Sequence, residues 1–350
     1  MFSLVLLIPL LASAETVTNI VVMIGDGMGL AQVRATRSYK GAPLAFESWT
    51  QCATVDTRSV SWPLPTDSAA AGTAIATGNK VSNGVVSVRI PGNRESIPTL
   101  LEYFKKAGKR TGLVTTSFMT DATPAAFGAH AANRSLTGEI ARCYFTQSQP
   151  DVLYGGGGNC ITASNAAAAG YTVVTDRRSM LSLDNASVSH VSGQFGKGPM
   201  RYEYDGVRGM PHLSEMTASA LSILEHNRSG FFLMIEGGNI DHACHINNPI
   251  RMVKEMLDFE KSIQLVEKWA ANRNDTLIIV TADHETGGLS VMKEKRHGWL
   301  PKVSWKTRGH TGTNVGLWAR GPGSSRFSGQ ISNTNIIGAV ISASATGDNP

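Results

Sequence analysis

The chain has 350 residues, 42% of them hydrophobic and 17% charged, an ordinary globular composition with many glycines and length enough for a substantial core. The formal net charge of +5 and a sequence pI of about 9.0 suit anionic small molecules. The basic residues come in small groups such as Lys105-Lys106 and Lys293-Glu294-Lys295-Arg296, so no basic stripe with interleaved aromatics marks a nucleic-acid-binding surface.

Residues 1–14 form an apolar run too short to span a bilayer, and they end in Ala12-Ser13-Ala14. That is the pattern of an export signal with its cleavage site, although the run carries no Lys or Arg at its start. A mature chain beginning at Glu15 is expected, secreted or periplasmic, with 15–350 as a single catalytic domain. No later segment is long and apolar enough for a membrane span. Four cysteines fit an oxidising compartment, and Cys143 with Cys160 is the expected disulfide, closing the loop around Gly155 to Gly158.

The first strand is read at Asn19 to Ile24, a continuous apolar run that stops in Gly25-Asp26-Gly27-Met28-Gly29. The spacing is not G-x-G-x-x-G, and an acid at its centre would repel a pyrophosphate, so Asp26 reads as a metal ligand. Cys52 to Asp56 is a second strand. It leads through a proline-containing loop to Thr66-Asp67-Ser68 and an Ala-rich helix. Two readings of this start stand together: Asp67 or Ser68 caps the helix, or Ser68 is a nucleophile set where free N–H groups favour negative charge.

An amphipathic helix follows from Ile97 to Ala107, then a strand from Thr111 to Ser117 that ends at Asp121-Ala122-Thr123-Pro124. A helical stretch from Ala125 is expected to carry His130 and reach Arg134, where an anion clamp would sit. Residues 150–212 are expected to be a peripheral insertion with a flexible loop at Gly155 to Gly158. A helix from Leu213 to His226 feeds the strand Phe231 to Ile235, which closes in Glu236-Gly237-Gly238 ahead of Asp241, His242 and His245. Pro249 to Trp269 is a long amphipathic helix. The strand Leu277 to Val280 ends in Thr281-Ala282-Asp283-His284-Glu285, and a 25-residue excursion then runs from Glu285 to Gly309. The chain returns at Gly309-His310-Thr311-Gly312 before a last strand, Val315 to Ala319.

Each buried strand therefore stops beside acids or histidines, and ligands of open α/β sheets sit at the carboxyl ends of strands. A parallel sheet would gather Asp26, Thr123, Glu236, Asp241, His245, Asp283, His284 and His310 along one edge. Imidazole with carboxylate suits zinc, and oxygen donors alone suit magnesium.

The segments IGDGMG, TDSAA, DATPAAFGAH, AANR, IEGGNIDHACH, TADHETGG and GHTG occur in the order found in alkaline phosphatases, and through most of its length the chain resembles that family. The resemblance implies an α/β/α sandwich around a mostly parallel central sheet with small peripheral insertions. It implies hydrolysis of small-molecule phosphate monoesters with two zinc ions and one magnesium ion. Ser68 would be the residue phosphorylated and Arg134 the one gripping the phosphoryl oxygens. Asp241, His245 and His310 would hold one zinc; Asp26, Asp283 and His284 the other. Thr123, Glu236 and Asp26 would hold magnesium, with Asp121 and His242 behind them. The excursion before His310 is short beside that of larger members, which leaves a homodimer open. A phosphodiesterase of the same superfamily and a phosphate-binding protein without turnover are the alternatives.

Overall fold

A computed structural model describes residues 17–344; the expected export signal and cleavage site lie outside the described residues. The strands in chain order are β1 (Asn19–Gly25), β2 (Gln51–Asp56), β3 (Arg110–Phe118), β4 (Val152–Gly156), β5 (Thr172–Val174), β6 (Val191–Gln194) and β7 (Phe231–Gly237). They continue with β8 (Thr276–Thr281), β9 (Glu285–Thr286), β10 (Ser290–Lys293), β11 (Lys302–Ser304), β12 (His310–Thr311), β13 (Val315–Arg320) and β14 (Gly329–Ser332). Ten of them form one sheet in the order β14-β2-β13-β8-β1-β7-β3-β4-β6-β5. All pairings in it are parallel except those that β13 makes with β2 and β8.

β1, β7 and β8 occupy the middle of the sheet, and every residue in them is buried. Their runs of Ile, Val, Leu, Met and Phe are continuous rather than alternating because helices cover both faces. The long helix Pro249–Ala270 crosses one side, and its buried stripe includes Met252, Met256, Phe259, Ile263 and Val266. Phe104 and Phe127, from two other helices, stack on Phe232 of β7 with ring centroids 5.6 and 6.0 Å away.

Register decides what lies at the sheet's carboxyl edge. Ile24 of β1 sits beside Glu236 of β7 and Thr281 of β8, and Thr115 of β3 sits on the other side of Glu236. The residues that follow, Asp26 and Asp283, therefore leave neighbouring strands at one level. β13 runs the other way, so a residue just before it, such as His310, arrives at the same edge.

Three expectations about the course of the chain need correction. Residues 150–212 are not a peripheral insertion, because they supply β4, β5 and β6 at one side of the central sheet. Gly155 and Gly156 end β4 rather than forming a flexible loop: a Cβ on Gly156 would lie 1.8 Å from the Gly198 carbonyl oxygen, so glycine is there for close backbone approach. The helix expected to reach Arg134 covers only Ala122–Gly128, since Ala129 is extended and Ala131 bridges to Val86.

The expected Cys143–Cys160 disulfide is absent, and both thiols are free. The Cys160 Sγ lies 3.4 Å from Thr137 Oγ1, at the start of the helix Thr137–Cys143. Cys143 closes that helix about 9 Å farther on. Its thiol is buried and faces the His130 carbonyl oxygen at 3.8 Å. Bridging needs Cα atoms within about 7 Å.

Gly156→Ala should lower stability by about 1–3 kcal/mol, the cost of forcing atoms into a filled space. Gly338→Ala, in the closing helix with nothing within 4 Å of its Cβ position, should be neutral or slightly stabilising. Denaturant midpoints of the two variants check this, and equal midpoints would contradict the close-approach reading.

Candidate active site

The edge described above collects two groups of metal-type donors. In the first, Asp241 and His245 lie one turn apart on the helix Asn239–His245, directly after β7. His310 joins them because β12 pairs with β9, which sets His310 opposite Thr286. His245 Nε2 is 3.1 Å from Asp241 Oδ2 and 3.2 Å from His310 Nε2, and His310 Nε2 is 3.7 Å from Asp241 Oδ1.

Both Nδ1 atoms of this pair are already committed. His245 Nδ1 donates to the Arg308 carbonyl at 2.5 Å, and His310 Nδ1 donates to the Thr66 carbonyl at 2.8 Å. The two Nε2 atoms therefore face one another, and only a shared proton or a cation reconciles them. The hydrogen bond to Asp241 pushes the pKa of His245 up to about 9, while burial depresses that of His310. Burial alone would raise Asp241, but its bond to His245 and the charges of His284 and His310 hold it well below the usual carboxylate range.

The second group is fully enclosed. His284 Nε2 lies 3.2 Å from Asp283 Oδ2, 3.5 Å from Asp26 Oδ1 and 3.1 Å from Ser68 Oγ. Thr286 Oγ1 donates to Asp241 Oδ1 and lies 3.2 Å from His284 Nδ1. Having spent its hydrogen on the carboxylate, that hydroxyl accepts from Nδ1, which turns the Nε2 lone pair of His284 toward Ser68 and the two aspartates. The His284 and His310 rings stack with centroids 3.6 Å apart, so the two groups are contiguous. Gly27 makes this closeness feasible. It has φ of +69°, and a Cβ there would meet Thr286 Oγ1 at 2.8 Å and Asp241 Oδ1 at 2.9 Å.

Ser68 is the first residue of the helix Ser68–Thr77, and the capping is done by its neighbour. Asp67 Oδ1 accepts from the backbone N–H of Ala70 and of Gly84, both at 3.0 Å. Ser68 Oγ is thus left free of the helix and turned to His284.

Glu236 and Thr123 lie beside these groups. Glu236 accepts a hydrogen bond from Thr115, and Thr123 Oγ1 is buried without a partner. Arg134 reaches in from a loop with its backbone N–H bonded to the Gly84 carbonyl at 2.7 Å. Its guanidinium lies 2.8 Å from Asp121 Oδ1 and 3.3 Å from Asp67 Oδ2. Burial would draw charge from Arg134, yet the Asp121 and Asp67 carboxylates outweigh it and keep the guanidinium protonated. Among the described hydrogen bonds His242 turns to Asn239 Oδ1 at 3.0 Å, so they do not join it to Glu236, Thr123 or Asp121.

Whether these residues suit metal ions can be judged from charge. Asp26, Asp283 and Glu236 are buried together. Burial first, and then neighbouring carboxylates, pushes Asp26 well above the usual range, Asp283 up to about 7 and Glu236 up to about 8. Asp26 Oδ1 and Asp283 Oδ2 have no hydrogen-bond partner. Orphaned carboxylate oxygens with imidazole lone pairs aimed among them are a donor set waiting for divalent cations. The His and carboxylate donors suit zinc, and the oxygen donors Asp26, Thr123 and Glu236 suit magnesium.

Sequence reading missed several supports. Thr286 orients His284 and Asp241, and Asp67, beyond capping the Ser68–Thr77 helix, also holds Arg134. Thr286 was findable, since residues two apart on a strand share a face and it follows His284 by two. The Arg308 and Thr66 carbonyls carry no side-chain signal.

Comparison with known proteins follows the same residues. The sequence profile described as alkaline phosphatase matches residues 17–159 and 142–301. Alkaline phosphatase 3 of Bacillus subtilis is 30% identical, with 94% of this chain and 89% of that protein covered. Streptomycin-6-phosphate phosphatase of Streptomyces griseus is 32% identical over 93% of this chain and 90% of its own. Among solved structures, alkaline phosphatase from the Antarctic bacterium TAB5 superposes with a TM-score of 0.85 at 30% identity, covering 94% of this chain and 99% of its own. A variant of that Antarctic enzyme, 29% identical with a TM-score of 0.84 over 96% of this chain and 100% of its own, was solved with magnesium bound in its M3 site. With profile, sequences and structures agreeing over nearly the whole described length, the chain belongs to the alkaline phosphatase family and is a phosphatase.

Proposed function

We propose that the protein is an exported, metal-dependent phosphomonoesterase acting through a phosphoserine at Ser68. The observation that carries this reading is Ser68 Oγ itself, released from capping and set 3.1 Å from His284 Nε2 beside the orphaned oxygens of Asp26 and Asp283. Asp241, His245 and His310 would hold one zinc ion, and Asp26, Asp283 and His284 a second. Thr123, Glu236 and Asp26 would hold magnesium, which a relative's M3 site also takes. When bound, these ions supply positive charge against oxygens that become negative as P–O bonds change.

The protein's own groups do the rest. Ser68 Oγ bonds to phosphorus as the alcohol leaves, and water then displaces Ser68 to release inorganic phosphate. The opening turn of the Ser68–Thr77 helix presents N–H groups that favour the anionic phosphoryl group. Arg134 offers a planar fork to two non-bridging oxygens, a fit specific to monoesters, which present three. Asp121 and Asp67 aim that fork before substrate arrives. Residues 15–350 act as one catalytic unit on small-molecule phosphate monoesters.

Ser68→Ala should keep the fold and bound metal but lose most turnover of a chromogenic phosphate monoester. Turnover near the wild-type rate would refute the phosphoserine route.

Arg134→Ala should cost monoester kcat/KM about 1.5–3 kcal/mol, the range for hydrogen bonds to charged groups, and leave weak diester hydrolysis nearly unchanged. Matched substrates measured with both proteins decide this. An equal proportional loss on the two would favour a phosphodiesterase instead.

Chelation should abolish activity, zinc with magnesium should restore it, and the chelated protein should become less stable from about pH 7 to 9. The sign follows from groups whose pKa is raised on folding. Asp283 at about 7, Glu236 at about 8 and His245 at about 9 hold protons that the unfolded chain has already released, so deprotonation progressively penalises the folded state. Thermal midpoints across this range check the claim, and metal-loaded protein should not follow the decline. A chelated protein whose midpoint rises with pH would contradict it.

A further inference from the structure

The excursion between β9 and β12 concentrates the protein's excess charge. Residues 290–309 carry six basic side chains (Lys293, Lys295, Arg296, Lys302, Lys306 and Arg308) against one acid, Glu294, a surplus equal to the whole chain's formal +5. All six are exposed, and none forms an ion pair among the described residues. Glu294 is taken by Arg34 at 2.8 Å.

The hairpin has two unlike faces. Val291 and Val303, paired across β10 and β11, are half-buried and pack on the core. Toward the tip Lys293 and Lys302 are cross-strand partners, a like-charge pair that costs stability until an anion lies against it. Beside them Met292 is 63% exposed and Trp299 52% exposed, with the Arg296 guanidinium 4.7 Å from the Trp299 ring centroid. The tip is nonetheless tied down, because His297 Nδ1 bonds to the Lys40 carbonyl and the Gly298 N–H to the Tyr39 carbonyl.

We propose that this tip docks the protein on an anionic lipid surface. A fixed hairpin presenting Lys, Arg, Trp and Met together matches what a bilayer interface accepts: anionic headgroups take the cations, and the headgroup boundary takes an amphipathic ring and a flexible apolar chain. A soluble anion would leave Met292 and Trp299 in water. A second copy meeting the same face would set one cationic surplus against another. The base of the excursion reaches the catalytic edge, since the Arg308 carbonyl holds His245, so a docked protein would keep its site near the surface.

Co-sedimentation of the purified protein with vesicles is the test. Vesicles of equal parts phosphatidylglycerol and phosphatidylcholine should carry it down, and added salt should release it. Pure phosphatidylcholine should not, which also controls for the apolar amino-terminal run. K295Q/R296Q/W299A should lose roughly twenty-five-fold or more in binding, about fivefold for each basic residue removed. Turnover of a soluble monoester should stay within about twofold, since these residues lie outside the catalytic edge. R142Q/R178Q, which removes two exposed arginines elsewhere, should bind as the wild type does. Equal binding by the hairpin variant, an equal loss in the control variant, or binding of soluble inorganic polyphosphate without vesicle binding would each overturn the proposal.

Discussion

Burial of several carboxylates together, sharpened by their mutual repulsion, is the constraint on which the rest of this structure depends. Asp26, Glu236 and Asp283 sit at the ends of neighbouring strands and Asp241 on the helix that follows β7, with almost no water to screen them. Such a group is tolerable only if protons or cations share the space. The raised Asp26, Asp283 and Glu236 show the proton solution, and the imidazoles aimed into the same volume prepare the metal one. One device therefore governs how stable the fold is and, under the proposed function, would also govern its chemistry.

The sheet supplies the positional accuracy this needs. Parallel register levels the ends of β1, β7 and β8, and antiparallel β13 brings His310 to the same edge from the opposite direction. Main-chain carbonyls then finish the work: Arg308 and Thr66 each accept from one imidazole, so ring orientation is set by backbone and not by side chains that can rotate. Ligand histidines are commonly oriented through their other nitrogen in this way.

Much of this was legible in the sequence because strand-ending motifs are local. Asp26, Asp241, His245, Asp283, His284 and His310 each follow or precede a run of apolar residues whose burial on both faces is written in its composition. What escaped depended on distant backbone. β4 is short and ends in glycines that look flexible, yet Gly198 lies across from them and leaves no room for a side chain. Asp67 and Ser68 read equally well as caps until the Gly84 amide is seen to bond Asp67 as well. The cysteine pairing failed because separation along the chain says nothing about a helix lying between the two thiols. Arg134 was found as a residue but misplaced on a helix, since nothing local reveals the bridge from Ala131 to Val86.

The grip of Asp121 and Asp67 on Arg134 bears on the release of phosphate in the role proposed for that residue. A guanidinium facing only water would hold inorganic phosphate strongly, and the product would linger. In the role proposed for Arg134, departing phosphate would return the guanidinium N–H donors to the two carboxylates, so departure would replace one set of charge-assisted bonds with another. The same competition weakens ground-state binding of every phosphate dianion, substrate included. Under the proposed function the arrangement would exchange affinity for turnover.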